Sequence, residues 1–263
     1  MPSVFLNCVL FTLKDRPVKD NKYILIFYTW LSKLIQNAGL TKDDFLMISI
    51  DERTFDYIKT TPKCLNYLFH KMPCPHTFMV FPSPATMMEG MLMRYNAPDT
   101  YQQDAYMYCD IDVIIRKPLR PVLERAMPDK MYVVVEGDLH DKNYGADMEG
   151  IEFTIDKNPG YTSGIWFFTG GDLYREFKRI VNSHYKLDAK YYALDQPFFN
   201  RAVYDLPHQS IIRDVLTEHT SFNGHNYNKN TCVFLNCGGD VGDGDKHYEK
   251  IQEVLIMMDA GVF

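Results

Sequence analysis

Two aspartates, Asp110 and Asp112, interrupt an otherwise apolar run, Tyr106-Met-Tyr-Cys-Asp-Ile-Asp-Val-Ile-Ile115. Alternate residues on a strand point to the same side, so both carboxylates are expected to face one way. Unpaired buried charge is costly, and a divalent cation that prefers oxygen ligands is the natural companion of such a pair. An Asp-x-Asp pair can also simply end a strand and cap the following turn. The aromatic and β-branched residues around this one place it inside, or at the carboxyl-terminal lip of, a strand. In open α/β sheets that lip is where ligands bind.

The elements that must position the pair can be read from apolar spacing. Residues 4–12 read as a first strand, 21–38 as a helix stopped by Gly39, and 45–50 as a second strand ending at Asp51. Apolar residues at helical spacing continue to Lys71, a short strand covers 77–81, and a helix over 86–95 ends before Pro98. This alternation of strand and helix, with the acidic strand next, predicts a mainly parallel sheet wrapped by helices. Beyond Pro118 the pattern changes, with strands expected over 131–135, 151–155 and 161–169 and a helix over 173–185. Mixed topology is expected there, and 118–128 is the one plausible seam between halves 1–117 and 118–263 of a single compact α/β domain.

Composition narrows the function classes. The 263 residues are 46% hydrophobic, enough for a substantial core. A formal charge of −6 without a long basic run argues against a nucleic-acid binder, whose affinity rests on neutralising phosphates. Six cysteines, at 8, 64, 74, 109, 232 and 237, include no Cys-x-x-Cys pair and suggest neither a zinc cluster nor a disulfide scaffold. The apolar stretch at the N-terminus is far shorter than the ~20 residues of a membrane helix and lacks a basic leader. A soluble, cytoplasmic protein without a transmembrane segment is the expectation.

The first glycine in the chain is Gly39, so no Gly-x-Gly-x-x-Gly loop follows the first strand, which argues against a dinucleotide site of that kind. The glycine-rich stretch comes late, Asn236-Cys-Gly-Gly-Asp-Val-Gly-Asp-Gly-Asp-Lys-His247. Gly239 and Gly244 have P-loop spacing, but Asp245 stands where the lysine belongs, and the aspartates lack the spacing of a calcium loop. Either this is a surface turn, or its backbone amides around Gly239 approach a diphosphate, with Lys246 adding charge and His247 or Asn236 a metal-ligating atom.

Four segments in order resemble the GT-A fold glycosyltransferases that use a nucleotide sugar, most closely family 8 and its relatives. They are Met91-Leu-Met-Arg-Tyr-Asn-Ala-Pro98, Tyr108-Cys-Asp-Ile-Asp-Val-Ile114, Tyr161-Thr-Ser-Gly-Ile-Trp-Phe-Phe168 and Leu194-Asp-Gln-Pro-Phe-Phe-Asn200. The resemblance implies manganese, or magnesium, held by Asp110 and Asp112 against the donor diphosphate, with Asp112 the surer direct ligand. It implies that Arg94 helps hold the nucleotide or sugar and that Ser163 and Gly164 lie beside the donor sugar. Asp195 and Gln196 would sit near its hydroxyls and anomeric carbon, although Asp195 also suits a helix N-cap. Phe199 and Asn200 read as structural. Where the family has a metal-ligating His in an apolar-His-Phe-x-Gly segment, this chain has Asn236, and where it has Lys-Pro-Trp, this chain has Lys246-His-Tyr248.

The activity implied is transfer of a sugar from a nucleotide-diphosphate donor, by family habit uridine-linked, to a hydroxyl of a glycan or glycoprotein, with retention of configuration. Thr12 and Asp51, at the ends of the first two strands, are candidates for nucleoside contacts. Were the reaction inverting, Asp195, Asp156 or Glu136 would have to serve as general base. A metal-dependent nucleotide-sugar hydrolase and a non-catalytic sugar- or nucleotide-binding module are the competing readings. An anchor-free chain of this kind suits a bacterial or large-virus enzyme better than an anchored Golgi one.

Overall fold

The computed structural model describes residues 1–60, 63–145, 158–191, 193–206, 213–222, 232–237 and 244–259. Strand β1 (Val4–Leu10) is buried throughout, and its side chains alternate between two cores: Val4, Leu6, Cys8 and Leu10 on one face, Phe5 and Val9 on the other. A strand covered on both faces reads as an unbroken apolar run, which is why no polar alternation marks it. Helix α1 (Tyr23–Asn37) buries Phe27, Trp30, Leu31 and Leu34, the i, i+3, i+4, i+7 stripe of one helix face. It ends at Ala38, and Gly39 follows with φ +64°, a conformation glycine adopts without a Cβ penalty.

Strand β2 (Phe45–Asp51) is followed by α2 (Glu52–Thr60) and α3 (Lys63–Lys71). The expected continuous helical segment is therefore two helices, and the sequence between them carries Pro62, which disfavours helix at the residue before it. Strand β3 (His76–Phe81) leads to α4 (Met87–Leu92). Thr86 caps α4, its Oγ1 accepting the Glu89 amide at 3.2 Å, and Glu89 Oε2 reaches back to accept the amide of Ala85, just before the cap, at 2.5 Å. A 3-10 turn, Met93–Tyr95, completes the expected helix and carries Arg94.

Strands β4 (Ala105–Cys109) and β5 (Val113–Ile115), helix α5 (Arg120–Glu124) and strands β6 (Lys130–Asp138) and β7 (Pro159–Thr169) come next. After them run α6 (Gly171–His184), α7 (Gln196–Asp205), α8 (Asp214–His219), β8 (Thr220–Phe222), β9 (Phe234–Asn236) and α9 (Gly244–Asp259). The six-stranded sheet has the order β3-β2-β1-β4-β7-β6. Its first four strands are parallel, and β7 runs antiparallel to both β4 and β6. A smaller sheet, β5-β9-β8, stands beside it. The mixed α/β architecture matches the expectation, and β4 is where its two parts join. The strand expected over 151–155 lies outside the described residues. Among the described residues no helix is long and apolar enough to cross a membrane.

Candidate functional site

The chain runs outward from β1 through β2 to β3 and then returns to place β4 on the other side of β1. The order reverses between β1 and β4, and in open parallel sheets the crevice beyond the carboxyl ends of such strands is the ligand site. Thr12 follows β1 there, and Asp110 immediately follows β4. The position of the acidic pair is thus a consequence of topology as well as of its own chemistry.

Asp110 and Asp112 do not share a strand, which corrects the expectation that strand alternation makes them face one way. The Val113 amide donates to the Asp110 carbonyl at 3.0 Å, closing a tight turn between β4 and β5. The Asp110 amide donates to the Gly164 carbonyl at 2.8 Å, and the Cys237 amide to the Asp112 carbonyl at 2.9 Å. The turn is therefore pinned by β7 on one side and by the end of β9 on the other. Asn236 pairs with Val113 in the small sheet, which brings its backbone next to Asp112. Gly164 gives the Asp110 carboxylate its room: a Cβ there would stand 3.1 Å from Oδ2.

Arg94 is the hub. Its Nη2 donates to Asp110 Oδ2 at 2.9 Å, and its Nη1 to Ser163 Oγ at 2.8 Å and to Asp195 Oδ2 at 3.1 Å. Tyr95 donates its hydroxyl to Asp195 Oδ2 at 2.6 Å, and Tyr108 donates to Asp110 Oδ1. The Arg94 guanidinium also lies 5.5 Å from the Tyr108 ring centroid. Asp195 occupies the N-cap position of α7, yet its side chain makes no capping bond and turns instead to Arg94 and Tyr95. Its side chain is only 3% exposed and is paired with Arg94. Gln196 Oε1 accepts the Ser163 amide at 3.1 Å, and its Nε2 donates to the Asn143 carbonyl at 3.2 Å. Asn200 bonds both the amide and the carbonyl of Tyr161 at 2.8 Å, and Phe199 is buried in the core, as structural residues would be.

Burial raises the Asp110 carboxyl to about 7, against the pull of Arg94, with Asp112 and Asp195 adding to the rise and the Tyr108 bond opposing it. Asp112 is raised as well, first by burial and then by Glu136, while Arg94 and Lys250 pull it down. Burial alone disfavours the Arg94 charge, but Asp110 and Asp195 outweigh it, so the guanidinium stays charged. The Tyr95 and Tyr108 phenols are pushed up by burial and remain donors. Two carboxylates raised first by desolvation and then by neighbouring carboxylates are what a bound cation relieves. Asp110 accepts from Arg94 and Tyr108, and both aspartates are half-buried. Among the described residues no third His, Cys, Asp or Glu joins them in a three-ligand set. Asn236 is adjacent in the small sheet, whereas the His247 and Lys246 side chains, Gly239 and Asp156 lie outside what the structure describes.

Thr12 and Asp51 stand at the same end of the sheet. Asp51 is fully buried, and its oxygens accept the Thr12 amide at 2.9 Å, the Arg53 and Thr54 amides at 3.1 and 3.2 Å and the Ser83 hydroxyl at 2.8 Å. It ties together the loop after β1, the first turn of α2 and the loop after β3, and presents no surface to a nucleoside. Thr12 Oγ1 is likewise engaged, by Asn21 Nδ2 and Thr54 Oγ1, both at 2.7 Å. The sequence did not single out Tyr23, Tyr95, Lys250 or Tyr144. Tyr23, in the first turn of α1, feels the charge of both aspartates, and the charge of Lys250 on α9 reaches Asp112. Lys250 could have been sought one helical turn beyond Lys246.

No family model matches the sequence, and no curated protein matches it. Solved structures do. Mouse xyloside xylosyltransferase 1, in its apo form, superimposes with a TM-score of 0.53 at 12% identity over 91% of this chain and 98% of that one. The apo structure of WbbM, a bifunctional glycosyltransferase, does so with a TM-score of 0.54 at 12% identity over 95% of this chain. The match spans half, 50%, of the WbbM chain. The chain therefore has the fold of these glycosyltransferases, the GT-A arrangement that its motif order implies.

Proposed function

We propose that the protein is a glycosyltransferase that moves a sugar from a nucleotide-diphosphate donor, uridine-linked, to a hydroxyl of a glycan or glycoprotein, with retention. The observation that carries this is the Asp110–Asp112 turn at the switch point of the sheet, braced by Arg94 and flanked by Gln196. A divalent cation, manganese or magnesium, held by Asp112 and Asp110 would stabilise the negative charge that develops on the departing diphosphate. Asn236 or His247 would complete its protein ligands, and Lys246, with Gly239 in the same loop, would meet the phosphates.

The chain's own residues prepare that site. Arg94, clamped between Asp110 and Asp195, fixes the Asp110 carboxylate and adds positive charge beside it. Ser163 is held by Arg94 through its hydroxyl and by Gln196 through its amide, so the stretch of β7 at Ser163 and Gly164 is stiff where the donor sugar would rest. Gln196, bonded to backbone at both ends of its amide, is preorganised to face an electron-poor anomeric centre. Retention needs no strong base. That agrees with Asp195 being locked in the Arg94 network.

The test is nucleotide release from a panel of nucleotide sugars with manganese, with and without sugar acceptors. Acceptor-stimulated release supports the transferase, and release from no donor sinks it. Asp112→Ala is expected to abolish metal-dependent release; wild-type turnover in that variant would refute the metal role.

A further inference from the structure

A ring in the second half of the chain occupies a slot that only glycine can provide. Gly137 on β6 and Gly160 on β7 are cross-strand partners. A Cβ on Gly137 would fall 2.3 Å from Tyr144 Cε2, and one on Gly160 would fall 2.4 Å from Tyr144 Cγ. The Tyr144 ring thus lies directly on bare backbone at the end of the β6–β7 ladder, and it is 8% exposed. Neither glycine has a positive φ, so backbone conformation does not require glycine at either place; the ring does.

The segment carrying Tyr144 is folded onto the hairpin by its own bonds. The Leu139 amide donates to the Asn158 carbonyl at 2.8 Å, the Tyr144 amide to the Asp141 carbonyl at 2.9 Å, and the Gly145 amide to the same carbonyl at 3.3 Å. With the ring seated, this segment reaches the candidate site. The Asn143 carbonyl accepts Gln196 Nε2 at 3.2 Å. The Tyr144 hydroxyl lies against Gly137, the residue after Glu136; burial and then the Glu136 charge push its phenol up, and the same charge reaches Asp112. Thr162 Oγ1 accepts the Gly164 amide at 3.2 Å, next to the Ser163 amide of β7 that Gln196 holds.

We propose that Tyr144 is a positioning residue: seated on Gly137 and Gly160, it anchors the 139–145 segment so that Asn143 orients Gln196. This rests on the transferase reading for its kinetic consequence and on geometry alone for the anchoring. Gln196 has backbone partners at both ends of its amide, and only the Asn143 end depends on the segment. Release of Tyr144 therefore frees that end of Gln196, and the Ser163 amide is then held by a side chain fixed at one end instead of two.

Three variants separate the parts. Gly137→Ala fills the slot, Tyr144→Ala empties it, and Tyr144→Phe keeps the ring but removes the hydroxyl. Hydrogen exchange of the full chain is the readout that needs no activity. Faster exchange is expected at the Tyr144, Gly145 and Ser163 amides in Gly137→Ala and Tyr144→Ala, with wild-type rates at Tyr144 and Gly145 in Tyr144→Phe. Kinetically, kcat for sugar transfer is expected to fall about 100-fold in the first two, the scale of a ~1 Å misplacement of a reacting group. Binding of uridine diphosphate with manganese is expected to be unchanged. Unaltered exchange at Ser163 in Tyr144→Ala overturns the link to Gln196. Wild-type kcat alongside a released segment overturns the positioning role. Should the wild-type protein transfer no sugar at all, the exchange result still decides the anchoring, and the transferase reading fails by itself.

Discussion

The Arg94–Asp195 contact lends itself to a quantitative test because both partners are almost wholly buried, with side chains 9% and 3% exposed. At their separation of 3.1 Å, opposite unit charges attract by about 5 kcal/mol at an effective dielectric of ~20. Desolvation of the two ions offsets several kcal/mol of that, so the net value of the pair is small. Removing one partner is different, because it leaves the other charged and buried. Arg94→Met strands both Asp195 and Asp110 and is expected to cost about 3–5 kcal/mol. Asp195→Asn keeps the shape and leaves Arg94 with Asp110 and Ser163, and about 3 kcal/mol is expected. For a chain of this size that lowers Tm by roughly 6–12 °C.

The double variant is the informative one. With the Asp195 charge gone, the loss of Arg94 strands one carboxylate instead of two, so the combined cost is expected to fall short of the sum by about 2 kcal/mol. Urea midpoints of the four proteins, read by circular dichroism with equal m-values, give this coupling. Additivity to within about 0.5 kcal/mol would show that the contact carries no energy, and the account of Asp195 as the anchor of Arg94 would be wrong. If Asp195 served a substrate instead, Asp195→Asn would lower turnover and leave the urea midpoint where it was.

Gly164→Ala is expected to displace the Asp110 carboxylate by a few tenths of an ångström from its 3.1 Å approach, weakening manganese binding in calorimetry with little change in Tm. At Gly90 a Cβ would meet the Phe11 ring at 2.3 Å, so Gly90→Ala should cost about 1–3 kcal/mol in urea unfolding by overpacking the floor of the β1 loop. Asp104 is held below its ordinary value of 3.8, chiefly by the Ser3 amide and then by the Ser3 hydroxyl. Its contribution to stability is present above that value and is lost as pH falls through the lower folded one. Asp104→Asn, which removes the titrating group, should therefore flatten the acid limb of a Tm-against-pH curve below about pH 4, and an unchanged limb would count against this tether.

What the sequence discloses depends on whether the signal is local. β1, β4 and β7 are legible because each is covered on both faces, so burial writes itself as an apolar run. The break between α2 and α3 is marked by Pro62, but helical spacing on both sides conceals it. The Asp110–Asp112 turn is concealed for a related reason: an apolar Ile111 buried between the aspartates makes a turn look like continued strand. Arg94 and Asp195 lie 101 residues apart, and no spacing rule brings them together; only the order of motifs suggested that they meet. Asp51 shows the limit most clearly. An aspartate at the end of a parallel strand serves equally well to bind a ligand or to gather loop amides, and four protein donors on a fully buried carboxylate decide for the second. The loops that Asp51 gathers include the one after β1, so a nucleoside in this crevice would be met by that loop's backbone and exposed side chains, with Asp51 setting their shape from below.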